Sequence, residues 1–144
     1  MSTQSEPALA GTALIEREIQ IEASPDTVFA YFVDPAKVVR WMGTTATLEP
    51  TPGGAFRIDY NGKDIARGTY LEVDPPRRIV FTWGWEMPGD PVPPGASTVE
   101  VTLTPSGEGT IVRLHHSGLP AESVDGHAEG WDYFLPTLVA AAVV

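Results

Sequence analysis

The sequence predicts an α+β fold: a curved antiparallel sheet of about six to seven strands around one long C-terminal helix, with two short helices after the first strand. Three observations predict it. Short runs of alternating apolar and polar residues, separated by turn residues, follow one another through most of the chain, as hairpin-connected strands do. Two helix-start signals come directly after the first run. A stripe at steps of four and three then runs from Val124 to Ala142, the spacing of an amphipathic helix. Helices gathered beside an antiparallel sheet define the α+β class. A strongly twisted sheet curls enough for a helix to fill its concave face.

The first strand covers Leu14 to Glu22, where Ile15, Arg17, Ile19 and Ile21 alternate with Glu16, Glu18, Gln20 and Glu22. Apart from Arg17, one face is apolar and the other polar. Ser24-Pro25-Asp26 supplies a helix cap, a proline suited to the first helical position and an early carboxylate. That helix buries Val28, Phe29 and Phe32, and Asp34-Pro35 starts a shorter one carrying Val38, Trp41 and Met42. After the turn at Thr51-Pro52-Gly53-Gly54, Phe56, Ile58 and Tyr60 share a face. Asn61-Gly62 predicts a two-residue type I′ hairpin, whose positive φ angles suit Asn and Gly.

The next strand groups Ile65, Arg67, Thr69, Leu71 and Val73, and in a strand without a bulge this set is expected to face inward. Past Asp74-Pro75-Pro76, Ile79, Phe81, Trp83 and Trp85 line one face. Met87 to Gly95, with four prolines and two glycines, reads as a stiff loop. Val99, Val101 and Leu103 mark a further strand, and Val112, Leu114 and His116 one face of the last. The helical stripe is Val124, Ala128, Trp131, Leu135, Leu138 and Ala142; Pro136 within it predicts a kink or a weak final turn.

The chain has 144 residues, enough for one ordinary domain, with 42% apolar and 19% charged residues. We expect a loose tail over residues 1–11 and a single domain over 12–144. Met1 to Gly11 has neither a basic residue nor an apolar core, so it does not read as a secretory signal. No apolar run approaches the ~18 residues that span a bilayer. With no cysteine, nothing points to an oxidising compartment, and a cytoplasmic location is expected. The net charge of −10 disfavours nucleic acid and anionic membrane as partners.

Several segments carry a resemblance. Ser24-Pro25-Asp26-Thr27-Val28-Phe29, then Asp34-Pro35 and Arg40-Trp41, resembles the opening of the bacterial branch of the START-like (SRPBCC) superfamily. That branch is similar to the C-terminal domain of activators of a heat-shock chaperone ATPase. Pro52-Gly53-Gly54-Ala55-Phe56 resembles its second hairpin. Gly68 through Trp83, with Leu71-Glu72-Val73-Asp74-Pro75-Pro76-Arg77-Arg78 inside, is the most recognisable stretch. His116-Ser117-Gly118-Leu119 and Gly130-Trp131 complete a pattern running from about Leu14 to Leu138. The resemblance implies a helix-grip fold. It also implies company that includes lipid and sterol carriers, polyketide cyclases and aromatases, hormone receptors and chaperone cofactors. Its motifs are turn and packing residues and carry over no catalytic assignment.

The candidate site residues are Trp41, Phe56, Phe81, Trp83, Trp85 and Trp131, with Arg67 and His116. The aromatics are either core or the lining of an apolar pocket; in a helix-grip fold Trp41 and Trp131 lie nearest such a pocket. Arg67 either anchors a ligand carboxylate or phenolate, or pairs with a carboxylate such as Glu86. His116 points inward and reads first as a hydrogen-bonded core residue near the turn at Ser117-Gly118. The other two histidines, His115 and His127, lack the spacing of metal ligands, and no cofactor is expected. Gly126 and Gly130 lie one helical turn apart. They either open space for a ligand or serve capping and packing.

Three functions compete. The first is binding of a small hydrophobic or aromatic molecule in an internal pocket. The second is a protein-interaction domain resembling the chaperone activators. The third is an enzyme of the cyclase/aromatase type, in which Arg67, Tyr60 or His116 would polarise a carbonyl. A homodimer hiding the apolar end, Val139 to Val144, is a further alternative.

Overall fold

A computed structural model describes residues 13–143; the tail expected over residues 1–11 lies outside them, as does Val144. The element order is β1 (Ala13–Ile21), α1 (Pro25–Val33), α2 (Pro35–Val38), β2 (Thr45–Leu48) and β3 (Ala55–Asp59). Then come β4 (Ile65–Asp74), β5 (Arg78–Trp83), β6 (Ser97–Ser106), β7 (Gly109–Leu119) and α3 (Ala121–Ala142). The strands form one antiparallel sheet in the order β1-β7-β6-β5-β4-β3-β2. Strands β2 to β7 follow each other by hairpins, and β1 pairs with the last of them. The two short helices therefore carry the chain from one edge of the sheet to the other. This is the α+β helix-grip architecture that the sequence predicts.

Both short helices start as their sequences dictate. Ser24 Oγ accepts the Thr27 N–H at 3.2 Å, and Asp34 Oδ1 accepts the Ala36 N–H at 2.9 Å, each with a proline opening the helix. The predicted stripe of α3 is its core face: Trp131, Leu135, Leu138 and Ala142 are buried, and Val124 and Ala128 pack against the core. The helix continues past Pro136 to Ala142. Facing it, Ile21, Phe56, Ile58, Ile79, Phe81, Val99, Val101 and Leu114 fill the concave side of the sheet. Arg17, the polar exception on the inner face of β1, reaches α3 with two bonds to Asp132, Nε–Oδ1 at 2.6 Å and Nη2–Oδ2 at 3.1 Å. This guanidinium holds the Asp132 carboxyl below its ordinary range.

Two expectations need correction. First, the β3–β4 connection is a five-residue turn, residues 60–64, and not a two-residue type I′ hairpin. Asp59 Oδ1 accepts the N–H groups of Asn61 and Gly62, and Asn61 Oδ1 accepts those of Lys63 and Asp64. Side-chain oxygens that capture backbone donors in this way stabilise a wider turn, in which Gly62 has a positive φ of 84°.

Second, β4 presents the opposite face to the core. Ala66 and Tyr70 are buried, whereas Arg67 and Leu71 are exposed, Leu71 by 52%. A register shift against β5 between Tyr70 and Glu72 separates the outward Arg67, Thr69 and Leu71 from Val73, which packs against the core. At the C-terminal end of α3 burial is mixed, with Ala140 and Val143 exposed, Val143 by 50%. Leu138 and Ala142 are buried, Val139 and Ala141 lie against the core, and the Tyr31 hydroxyl donates to the Ala141 carbonyl at 3.1 Å.

Candidate ligand-binding site

The core stripe uses one side of α3. The adjoining side carries Ser123, Gly126, His127, Gly130 and Phe134 at helical spacing, and these residues line a cavity of about 620 Å³. Opposite them stand Tyr60 and Ile65 from the β3–β4 turn region, then Trp83, and Trp85 just beyond the end of β5. Trp131 and Met42 extend the apolar wall, and Asn61, Asp64, Met87 and Glu122 stand exposed around the mouth. The volume lies within the ~300–1,000 Å³ of small-molecule sites, and the wall is predominantly aromatic, as in such sites.

Local backbone pairing explains how Trp85 comes to face inward. The chain beyond β5 stays against β4, with Arg67 N–H donating to Gly84 O at 2.8 Å and Glu86 N–H to Ile65 O at 2.9 Å. Trp85 N–H is held by Val92 O at 2.7 Å. Period-2 alternation then puts Trp83 and Trp85 on the same side. Their rings meet edge to face at 5.4 Å, and Tyr60 lies 5.7 Å from Trp85 and 5.5 Å from Phe134.

Two tryptophan–histidine pairs fix this wall. Trp131 Nε1–H donates to His116 Nδ1 at 3.0 Å. His116 Nε2 therefore carries the ring proton and donates to Ser97 Oγ at 2.9 Å, and that hydroxyl donates to the Trp83 carbonyl at 2.8 Å. Trp85 Nε1–H donates to His127 Nε2 at 3.0 Å, leaving His127 Nδ1 to donate to the Ser123 carbonyl at 2.8 Å. Each ring is thus held in a single tautomer by its neighbours. The two imidazoles themselves meet edge to face at 5.3 Å. His116 is fully buried, and burial, with His127 beside it, pushes its pKa down to about 3. Burial also raises the Tyr60 phenol above its ordinary value, so it stays a protonated donor at neutral pH. The Trp83 indole N–H is buried without a hydrogen-bond partner among the described residues; such orphans are uncommon in folded proteins.

The expected site residues divide three ways. Trp83, Trp85 and Trp131 line the cavity. His116 lies behind Trp131 and bonds Ser97, rather than the turn at Ser117-Gly118. Trp41, Phe56 and Phe81 belong to the core away from the lining: Trp41 donates to Tyr31 O at 2.8 Å, and Phe56 stacks on Phe81 at 4.0 Å. Arg67 is on the convex face, 54% exposed, with Nε 3.4 Å from Glu86, which Arg57 also holds at 2.9 Å. The inward orientation expected of Arg67 is therefore reversed, and its pairing is the alternative with Glu86. Of the three groups considered for polarising a carbonyl, only Tyr60 stands on the lining.

Sequence reasoning missed His127 as an indole anchor, and it missed Ser123 and Phe134. The spacing of Gly126 and Gly130 was the available signal. A Cβ at either position meets nothing within 4 Å, and neither is among the glycines with positive φ. Both therefore leave open space beside the cavity. Among the described residues, no three His, Asp or Glu side chains converge on a metal site.

The family described as activator of Hsp90 ATPase homolog 1-like protein matches residues 22–142. The chain belongs to this family. The solution structure of an AHSA1-like protein from Rhizobium etli is 44% identical, with a TM-score of 0.72 over 91% of this chain and 82% of that one. The crystal structure of DynU16, described as a putative protein in the dynemicin biosynthetic locus, is 26% identical with a TM-score of 0.76. That match covers 88% of this AHSA1-like chain but only 46% of DynU16. An uncharacterized protein of Schizosaccharomyces pombe is 28% identical over 136 residues, and the match spans 37% of its length. No helix of the described residues is long and apolar enough to cross a membrane.

Proposed function

We propose that this AHSA1-like domain binds a small hydrophobic or aromatic molecule in the cavity between α3 and the sheet. The observation that carries this reading is the aromatic wall of Trp83, Trp85, Trp131, Tyr60 and Phe134 around about 620 Å³, faced by two glycines of α3. Glycine inside a helix costs about 1 kcal/mol relative to alanine. Two at adjacent turns, both bordering the same cavity, keep a flat space open at a cost in helix stability. The tryptophan–histidine pairs hold the walls in place before a ligand arrives, which reduces the ordering entropy of binding. The unpartnered Trp83 indole adds a buried donor for which a ligand acceptor would be a partner.

Native mass spectrometry of protein purified gently from its own source tests the reading. We expect a discrete added mass that leaves on denaturation, and its loss in Gly130→Leu, whose side chain grows into the open space. A clean apo mass, with no thermal shift across a lipid and aromatic library, would remove the pocket reading. The family match over residues 22–142 favours a second reading, a protein-interaction domain of the chaperone-activator kind. It predicts stimulation of a chaperone ATPase that persists in Gly130→Leu.

A further inference from the structure

The charge of the cavity mouth narrows the class of ligand. Among the described residues that line it there is no lysine or arginine, whereas Asp64, Asp90 and Glu122 all do. Six arginines are engaged elsewhere: Arg17 with Asp132, Arg57 and Arg67 with Glu86, Arg77 with Asp74, Arg78 with Glu72 and Glu100, and Arg113 with Glu18. None of the three mouth carboxylates takes part in an ion pair among the described residues. The nearest lysine in sequence, Lys63, is exposed in the β3–β4 turn and is not on the lining.

These carboxylates are tied to the aromatic wall by the local hydrogen bonding. Asp64 closes the turn that begins at Tyr60, its carbonyl accepting the Tyr60 N–H at 3.0 Å, while its Oδ2 accepts from Asn61 Nδ2 at 2.8 Å. Asp90 Oδ1 accepts the Val92 N–H at 2.8 Å, and the Val92 carbonyl holds the Trp85 backbone. Glu122 precedes Ser123, whose carbonyl accepts from His127, the partner of the Trp85 indole. Three carboxylates and no lysine or arginine thus border an aromatic cavity, and the buried, unpartnered Trp83 indole is a donor that a neutral hydroxyl, ether or carbonyl oxygen on the ligand can satisfy without bringing a negative charge.

We infer that the cavity selects an organic cation, an aromatic or alicyclic ring system carrying an amine or quaternary ammonium group, over an anionic ligand of the same shape. The inference rests on the pocket reading above and gives it a charge. Aromatic faces attract a cation through their quadrupole, most strongly for tryptophan. The carboxylates add attraction at the mouth and repel a carboxylate or phosphate headgroup.

Calorimetric titration of the full chain with three probes that share one ring system tests this: 2-naphthylmethylammonium, 2-naphthylmethanol and 2-naphthoate. We expect the ammonium to bind at least tenfold more tightly than the carboxylate, with the alcohol between them. The gap should shrink from about 20 mM to about 300 mM salt as screening shortens the reach of the mouth charges. In the triple variant Asp64→Asn, Asp90→Asn and Glu122→Gln, which keeps the acceptor oxygens, the ammonium should fall to the affinity of the alcohol. Equal or tighter binding of the carboxylate, or a gap that salt leaves unchanged, would overturn the charge selection while leaving the pocket. Binding of none of the three would overturn both.

Discussion

His116 shows how one buried residue sets a pH limit on the fold. Its folded pKa of about 3 lies well below the ordinary histidine value of 6.5. Between these values the unfolded chain takes up a proton that the folded chain refuses. The associated stability is complete above about pH 6.5 and is lost as the pH falls toward 3. The slope is up to about 1.4 kcal/mol per pH unit for one fully buried site. Titrating carboxylates such as Asp132 add their own acid dependence, so the informative quantity is a difference. In urea unfolding, the stability gap between the wild type and His116→Gln should narrow by about 1 kcal/mol for each pH unit below 6. Parallel curves would show that His116 is not held neutral by its surroundings. The sequence placed His116 on the inner face but left its partners open. Trp131 and Ser97 lie 15 and 19 positions away and meet it only through the packing of β6, β7 and α3.

At the scale of elements, α3 has two working faces. The apolar stripe was legible because burial demands apolar residues at a fixed period. The cavity face was not, because lining a cavity requires space and polar anchors, which have no periodic signature. Only the two glycines hinted at it. Since a Cβ at Gly126 meets nothing within 4 Å, Gly126→Ala should raise stability by about 0.5–1 kcal/mol through helix propensity alone. The same methyl should weaken binding of a naphthyl probe, so urea titration and calorimetry together would reveal a trade between stability and function. A destabilised Gly126→Ala would contradict the open space assigned there. Strand β4 teaches the converse lesson. Leu71 and Val73 look like part of one apolar face, yet a register shift after Tyr70 places them on different sides. A period-2 pattern locates a strand, but its facing depends on every irregularity along it.

Across the whole molecule, 19 acidic residues face 9 basic ones. With six arginines already in ion pairs, the remaining negative charge is largely uncompensated, and self-repulsion opposes the compact state. Raising salt from about 10 mM to about 200 mM should therefore increase the melting temperature despite weakening the surface pairs, since exposed pairs contribute little. A melting temperature that falls with salt would show that the ion pairs outweigh the repulsion.

The sequence by itself determined what is local or periodic: the capped starts of α1 and α2, the hairpin succession of strands, the core stripe of α3 and the family. Each follows from residues close together in the chain, where steric preference, capping and alternation act without reference to the rest of the fold. Only the tertiary structure decided which aromatics border the cavity, which way Arg67 points, and how His116 and His127 anchor Trp131 and Trp85. Trp85 and His127 are 42 positions apart, and their contact depends on how α3 seats across the sheet. That seating is a collective result of register, turn length and packing, and no short segment of the chain encodes it alone.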